Sequence, residues 1–293
     1  MTGAGTHAPQ LLALPLTHWR GAWGLDGAAA LALGLYGWGV RRCRTWPAAR
    51  SAAFAGGVAC ALVALQSGID AFDDRLLSVH MVQHMLLLLL VPLLLLAGRP
   101  QTLALRALAP KRRRSLARAL VSLRALSSPY VGLSVFSVVL LASHVPVLYE
   151  ATLSHPLVHE LEHALLLLAG LSFWSPLLDA DPLASRRIGG LGRIAYLLAA
   201  MPSMALLGAY LNRAATLVYP AYRAPARALG VSAIADQQQA AAIMWVGGGF
   251  FIAVVGLWIA MSAISAEERR QRAREHHALA AQAIDGATLG PGS

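Results

Sequence analysis

Long apolar stretches with almost no charged side chain recur along this chain of 293 residues, separated by short polar or basic segments. Each stretch approaches the roughly twenty residues that a helix needs to cross a bilayer. We predict seven spans, near residues 22–40, 52–69, 78–97, 129–149, 157–178, 191–211 and 239–263. The second is the weakest because it is rich in Ala and Gly, so a count of six stays open. The pattern predicts an all-α fold, a polytopic transmembrane helical bundle.

The composition excludes a soluble globular protein. Hydrophobic residues make up 57% of the chain and charged residues 13%, and the mean hydropathy is +0.57. A soluble domain carries about 25% charged residues. The two cysteines, Cys43 and Cys60, are too few for a disulfide framework or a Cys-based metal motif.

The basic residues indicate how the bundle is oriented. The net charge is +10, and nineteen of the 24 Lys and Arg residues fall on one side of a seven-span topology. The positive-inside rule makes that side cytoplasmic, so the N-terminus is predicted outside and the C-terminus in the cytoplasm. The basic residues then contact anionic membrane lipids rather than nucleic acid. We divide the chain into an external segment 1–20, a membrane domain 21–265 and a cytoplasmic tail 266–293. The basic loop 99–127 is predicted to lie as a helix on the inner leaflet.

Five of the ten histidines are predicted to gather near the external face. His80 and His84 are four residues apart, so their side chains share one face of a helix. His159 and His163 repeat this spacing on another span, and His144 lies near the outer end of the fourth. Ionisable side chains inside a membrane are costly and tend to face a polar interior or a bound group. Two pairs at matching depth therefore favour a metal site over isolated structural histidines.

Other candidate ligands lie at a similar predicted depth. They are Met81, Met85, Met244 and Asp236. Imidazole binds copper, zinc and iron, whereas thioether sulfur selects Cu(I), so the mixture favours copper over zinc. Methionines taken by themselves are more often packing residues. Met201 and Met204 lie deeper in the sixth span, and the external residues Asp70, Asp73 and Asp74 are expected to be solvated and to attract cations.

Three other interpretations of the histidines stay open. His159-Glu-Leu-Glu-His163 fits the H-E-x-x-H pattern of helical zinc sites, in which Glu160 would be the general base of an intramembrane metalloprotease. A haem protein would use histidines from two helices as axial ligands, although chelating pairs favour a small ion. A metal-free scaffold would use the same histidines for hydrogen bonds only.

Several short motifs follow one another along the spans. They are His80-Met-Val-Gln-His84, Gly98-Arg-Pro100, His159-Glu-Leu-Glu-His163, the stretch from Phe173 to Pro182, Asp236-Gln-Gln and Met244-Trp-Val. In this order they resemble the CtaG family of caa-type cytochrome c oxidase assembly factors, and the resemblance covers most of 20–265. The positions that match the family's motifs are His80, His84, His159, His163 and Asp236, and His144 falls where the family tends to have a histidine. Met85 stands in place of a commoner Leu, and Gly247 in place of a frequent Pro.

The resemblance implies a multi-pass protein of the bacterial cytoplasmic (inner) membrane that is needed to make active haem–copper oxidase. Its implied task is non-enzymatic: to bind copper, as Cu(I), near the external face and deliver it to the CuB centre. The implied partners are the catalytic subunit of the oxidase and a periplasmic copper donor, and oligomerisation stays open. Copper transport across the membrane is a related alternative, to which Met201 and Met204 point.

Overall fold

The computed structural model of the chain describes residues 19–178 and 188–288. Within these residues the secondary structure is helical, without strands, as the hydrophobic pattern predicts. The helices are α1 Trp23–Arg42, α2 Ala48–Gln66, α3 Gly68–Phe72, α4 Leu77–Met85, α5 Val91–Ala97, α6 Pro100–Ala107, α7 Pro110–Leu123, α8 Pro129–Ser143, α9 Pro146–Ser154, α10 Pro156–Leu177, α11 Gly190–Arg213, α12 Arg223–Ala228, α13 Ala233–Ala242 and α14 Gly248–Thr288. Two π-helical turns, Leu86–Leu90 and Ile243–Gly247, join α4 to α5 and α13 to α14. Most of the predicted external segment 1–20, and residues 179–182 of the family motif, lie outside the described residues.

Five segments of the described chain are long and apolar enough to cross a membrane. They are Ala48–Phe72, Leu77–Ala107, Pro156–Leu177, Gly190–Arg213 and Ala233–Ser262. A sixth appears if the pair Pro110–Ser127 and Pro129–Ser143, bent by 64°, counts as one span. A polytopic helical bundle is therefore confirmed, with five or six spans by length and composition against the predicted seven.

The first and the fourth predicted spans are the ones that differ from the prediction. The second predicted span qualifies as part of Ala48–Phe72, whereas the first, now α1, is helical over 20 residues but is not among the qualifying segments. Asp26 near its start and two arginines at its end lower its hydropathy. The fourth predicted span ends early, since α8 stops at Ser143 and Pro146 begins a new helix.

Helices α4 and α5 form the centre of the bundle. Their span, Leu77–Ala107, is the most buried of the qualifying segments, and it packs against α2, α10 and α13. The π turn between them ends two residues before Pro92, which has no N–H to donate to the Leu88 carbonyl. Gly170 of α10 lies against this turn so closely that a Cβ there would sit 2.6 Å from Cγ of Pro92. This approach brings the histidine-bearing turns of α4 and α10 together.

The helix that follows the central span, α7, lies within the basic loop 99–127. Helix α7 contains no buried residue, and it forms the first arm of the 64° bend that leads into α8. At the other end of the chain α14 continues unbroken past residue 265 to Thr288, so the predicted tail begins as an extension of the last helix.

Candidate metal centre

Helix α4 carries His80 and His84 on one face, in the geometry that their spacing predicts. Both side chains are fully buried, and their Nε2 atoms lie 2.7 Å apart. At this distance one nitrogen donates a proton and the other accepts it, because a neutral imidazole has one N–H and one lone pair. The two histidines are thus a coupled pair whose proton positions depend on what surrounds them.

Tyr222 determines which nitrogen carries the proton. Its hydroxyl donates to the backbone carbonyl of Asp73 at 2.8 Å, and burial raises the pKa of this hydroxyl well above its usual value. Because a hydroxyl has only one proton to donate, Nδ1–H of His80 must donate to the Tyr222 oxygen, 3.0 Å away. Nε2 of His80 then carries no proton, and its lone pair accepts a hydrogen bond from Nε2–H of His84. In agreement, Nδ1 of His84 has no hydrogen-bond partner among the described residues.

The carboxylate of Glu162, on α10, faces this pair. Its Oε2 lies 3.7 Å from Nε2 of His80 and 3.7 Å from Nε2 of His84. The side chain is buried, and neither of its oxygens has a hydrogen-bond partner in the described part of the chain. One ligand atom from each of the three residues lies within 4.8 Å of the others. This set, His80, His84 and Glu162, is called the inner triad below.

His80 also belongs to a second group with the histidine pair of α10. Ligand atoms of His80, His159 and His163 likewise lie within 4.8 Å of one another. His163 is buried and its Nε2 has no hydrogen-bond partner among the described residues, whereas the side chain of His159 is 23% exposed. The two groups share His80 and form one continuous cluster that reaches towards solvent at His159.

Asp73 lies at the exposed end of the cluster. Its Oδ2 is 3.3 Å from Nε2 of His159, and the residue is only 4% exposed. The expectation that Asp70, Asp73 and Asp74 are all solvated is therefore wrong: Asp74 is exposed, Asp70 is half-buried and Asp73 is buried. Tyr222 and His159 cover Asp73 from segments distant in the sequence, which the local polarity of the loop does not reveal.

His144 flanks the cluster on its other side. It caps α8, and its Nδ1 lies 2.8 Å from the Leu140 carbonyl, which can only accept, so this nitrogen carries the proton. The free Nε2 points at Sδ of Met81, 3.3 Å away. The ring centroids of His144 and His84 are 5.5 Å apart. His144 and Met81 therefore border the inner triad with a lone pair and a thioether.

Asp236 takes a different place from the other predicted ligands. Its carboxylate accepts from the backbone N–H groups of Leu77 (2.7 Å) and Ser78 (3.4 Å) and from the Ser78 hydroxyl. These are the first N–H groups of α4, which have no partner within the helix. Asp236 thus caps the helix that carries the first histidine pair, and it is a member of neither metal-ligand group.

The remaining methionines of the predicted site lie in the second π turn or beside the two glycines that follow it. A Cβ on Gly248 would be 3.2 Å from Sδ of Met85 and 3.6 Å from Sδ of Met204, so these two thioethers meet beside the glycine. Met201 lies against Gly249, at 3.6 Å from Cε to the position of a Cβ. Met244 is fully buried in the second π turn. The structure brings Met81 to the histidines and groups Met85 with Met204.

The two glutamates that lie between His159 and His163 on α10 differ in their surroundings. Glu160, the base of the H-E-x-x-H interpretation, is exposed, whereas Glu162 is buried against His80 and His84. A metalloprotease base acts on a water bound to the metal and must lie beside it. The arrangement supports metal binding by Glu162 more than hydrolysis by Glu160.

The cluster has the chemistry of a cation site. Imidazole nitrogens and a carboxylate are ligands for copper, zinc and iron. Buried polar atoms without partners are costly, and here those of Glu162 and His163 lie on the same cluster. A cation held by the inner triad would satisfy Glu162, and one held by His80, His159 and His163 would satisfy His163. Sequence reasoning missed Glu162 and Tyr222, since the H-E-x-x-H pattern drew attention to Glu160 and no pattern relates Tyr222 to residues far earlier in the chain.

One protein family matches most of the chain. Its sequence model covers residues 34–266 and is described as cytochrome c oxidase caa3 assembly factor. No solved structure shows a significant match to the chain.

Longer mycobacterial proteins are similar to the chain. Uncharacterized proteins of Mycobacterium bovis and Mycobacterium tuberculosis are each 32% identical over 252 residues, which is 81% of the chain and 38% of each relative. An uncharacterized protein of Mycobacterium leprae is 32% identical over 236 residues, or 75% of the chain and 36% of the relative. The chain thus spans less than two fifths of the length of these relatives.

Proposed function

Because the chain belongs to the family of cytochrome c oxidase caa3 assembly factors, we propose that it is a copper carrier of the bacterial cytoplasmic membrane. It holds Cu(I) near the external face and delivers the ion to the CuB centre in the catalytic subunit of a haem–copper oxidase. One observation carries the proposal: His80, His84 and Glu162 converge within 4.8 Å in the buried interior of a multi-pass membrane protein.

The surroundings of the inner triad favour copper over a hydrolytic zinc site. The free Nε2 of His144 and the thioether of Met81 lie beside it, 3.3 Å from each other. Thioether sulfur is a soft ligand that selects Cu(I). A zinc hydrolase also needs an open position with a general base at the metal, and Glu160 is exposed.

The position of the cluster suits a carrier that loads from outside the membrane. His159 is its most exposed member, and the buried carboxylate of Asp73 stands beside it at 3.3 Å. A cation reaching His159 passes to the second group and then, through the shared His80, to the inner triad. Loading releases the Nε2 proton of His84, because a ligating nitrogen must be deprotonated.

Replacement of both histidines of α4 tests the proposal. We expect the His80→Ala/His84→Ala protein to lose its copper after anaerobic Cu(I) loading in detergent, measured by elemental analysis against protein concentration. Wild-type protein should retain copper in preference to zinc under the same conditions. Oxidase made in cells that carry the double variant should contain haem but little CuB.

His155→Ala is the matched control, because His155 is an exposed histidine at the start of α10 with no side-chain cap bond. It should leave the copper content unchanged. Equal copper in the double variant and in wild-type protein would refute the copper site. Wild-type protein that retains no metal would instead favour the metal-free scaffold.

A further inference from the structure

A nitrogen lone pair and a thioether face each other beside the inner triad. Nε2 of His144 and Sδ of Met81 lie 3.3 Å apart, and both side chains are buried. Nδ1–H of His144 donates to the Leu140 carbonyl at 2.8 Å, so Nε2 carries no proton. A thioether sulfur has no proton either. No proton therefore lies between the two atoms, although a buried nitrogen without a donor is costly.

The ring of His144 is fixed in this orientation by its neighbours. A proton on Nε2 instead of Nδ1 would leave Nδ1 and the Leu140 carbonyl as two acceptors at 2.8 Å. The Tyr219 hydroxyl donates to the backbone carbonyl of His144 at 2.9 Å and so holds the residue at the end of α8. Nε2 is therefore directed at Met81 as a ready ligand. His144 and Met81 are called the soft pair below.

The two donors of the soft pair suit Cu(I) and not zinc. Imidazole binds copper, zinc and iron, whereas thioether sulfur selects Cu(I). Zinc takes thiolate, imidazole and carboxylate ligands, almost always four of them in a structural site. The inner triad offers ligands of the zinc type, so the triad by itself does not distinguish the two ions. Discrimination then depends on the soft pair.

The soft pair adjoins the inner triad and is closed to solvent. The ring centroids of His144 and His84 are 5.5 Å apart, and the two rings are nearly perpendicular. His144 is 2% exposed and Met81 is 0% exposed. An ion therefore comes to the soft pair from the histidine cluster, and not directly from outside the protein.

We propose that His144 and Met81 form a Cu(I)-selective position to which the ion moves from the inner triad, and that this step makes the chain prefer Cu(I) to zinc. The inference rests on the proposed function and names the residues that determine its specificity. The step is an exchange of ligands, in which bonds from Cu(I) to the inner triad break as bonds to Nε2 of His144 and Sδ of Met81 form. The new ligands already present lone pairs, so they release no proton, and the oxidation state of copper does not change.

Met81→Leu tests the specificity, because it removes the sulfur and keeps an apolar side chain of similar size. We expect its affinity for Cu(I), measured by competition with a Cu(I) chelator, to fall by about tenfold or more, while its affinity for Zn(II) stays unchanged. His144→Asn should give the same pattern, since its amide can donate to the Leu140 carbonyl but offers no Nε2. Met85→Leu is the matched control: its sulfur lies near Met204 on the same side of Gly248, and both affinities should match wild type. An unchanged Cu(I) affinity in Met81→Leu, or an equal fall for both ions, would overturn the proposal.

X-ray absorption at the copper edge gives a second readout, on Cu(I)-loaded protein labelled with selenomethionine. Selenium in place of sulfur marks a methionine ligand and distinguishes it from a cysteine. Copper should have a selenium neighbour in wild-type and Met85→Leu protein and none in Met81→Leu. Wild-type protein without a selenium neighbour, or Met81→Leu protein that keeps one, would overturn the soft pair and leave the copper carrier in place. Wild-type protein that retains no copper would refute the carrier and the soft pair with it.

Discussion

Proton positions decide which atoms of the cluster are ready to bind a metal. Tyr222 donates to the Asp73 carbonyl and so accepts from Nδ1–H of His80, which leaves Nε2 of His80 as a free lone pair. Tyr149 lies 3.1 Å from the same hydroxyl and holds it in place. A hydrogen bond of this kind to the distal nitrogen of a metal-binding histidine orients the ring and selects its tautomer.

Tyr222→Phe tests this arrangement. The variant loses the acceptor for Nδ1–H of His80, so we expect the affinity for Cu(I) to fall by about 10–100-fold, as for other partners of metal-binding histidines. Competition with a Cu(I) chelator measures the change. Tyr210→Phe is the control, because Tyr210 is 53% exposed on α11, and it should bind as wild type does. Unchanged affinity in Tyr222→Phe would show that His80 does not need this partner.

The two glutamates of α10 allow a paired comparison between copper carriage and proteolysis. We expect Glu162→Gln to weaken Cu(I) binding, on the order of 10–100-fold, because it removes the charge that faces both histidines of α4. Glu160→Gln should leave copper binding unchanged, since Glu160 is exposed. A metalloprotease would show the reverse sensitivity, with activity abolished by Glu160→Gln.

At the scale of the helices, the first turn of α4 is capped by a residue from a distant part of the chain. Asp236 accepts from the first two N–H groups of α4 although 159 residues separate it from Leu77. The cap fixes where the helix begins, and His80 follows three residues after Leu77. Helix α4 packs directly against α13 and against the π turn that follows α13. π-helical turns are often found at functional sites.

Asp236→Ala should therefore act as the loss of a helix cap. We expect the free energy of unfolding to fall by about 0.5–2 kcal/mol, seen as a lower melting temperature in detergent. Ser232→Ala is the control: Ser232 precedes α13 but makes no side-chain cap bond. X-ray absorption of the Cu(I)-loaded Asp236→Ala protein should show the wild-type ligand set. Loss of an oxygen ligand would instead show that Asp236 binds the metal, as its match to the family motif suggested.

For the whole molecule, the orientation decides from which compartment the proposed carrier would load copper. The distribution of Lys and Arg predicts an external N-terminus and a cytoplasmic C-terminus, and this prediction puts His159 and Asp73 at the outer face. An inverted bundle would present the same cluster to the cytoplasm.

Cysteine accessibility in intact cells measures this orientation. In a background with Cys43 and Cys60 replaced by Ala, Asp74→Cys should react with a membrane-impermeant maleimide, because Asp74 is exposed beside the cluster. Lys111→Cys, on the exposed helix α7, should react only after the cells are permeabilised. The opposite pattern would contradict the predicted topology and with it loading from outside.

The sequence by itself determined the class of fold and the histidine pairs that lie at the site. Charge-free stretches of span length have few stable structures other than a membrane helix, so the polytopic bundle was predictable, although the marginal hydropathy of α1 left the span count open. The spacing of four residues likewise places His80 and His84 on one face of any helix that contains them.

Only the tertiary structure decided which side chains complete the cluster. The choice of Glu162 over Glu160 depends on how α10 is rotated against α4, and two glutamates separated by one residue look alike in a local pattern. Tyr222, Asp73 and Asp236 act on residues up to 159 positions away. Hydrophobic periodicity fixes which face of a helix is buried but not which neighbour it meets, so contacts between distant helices are settled by packing alone.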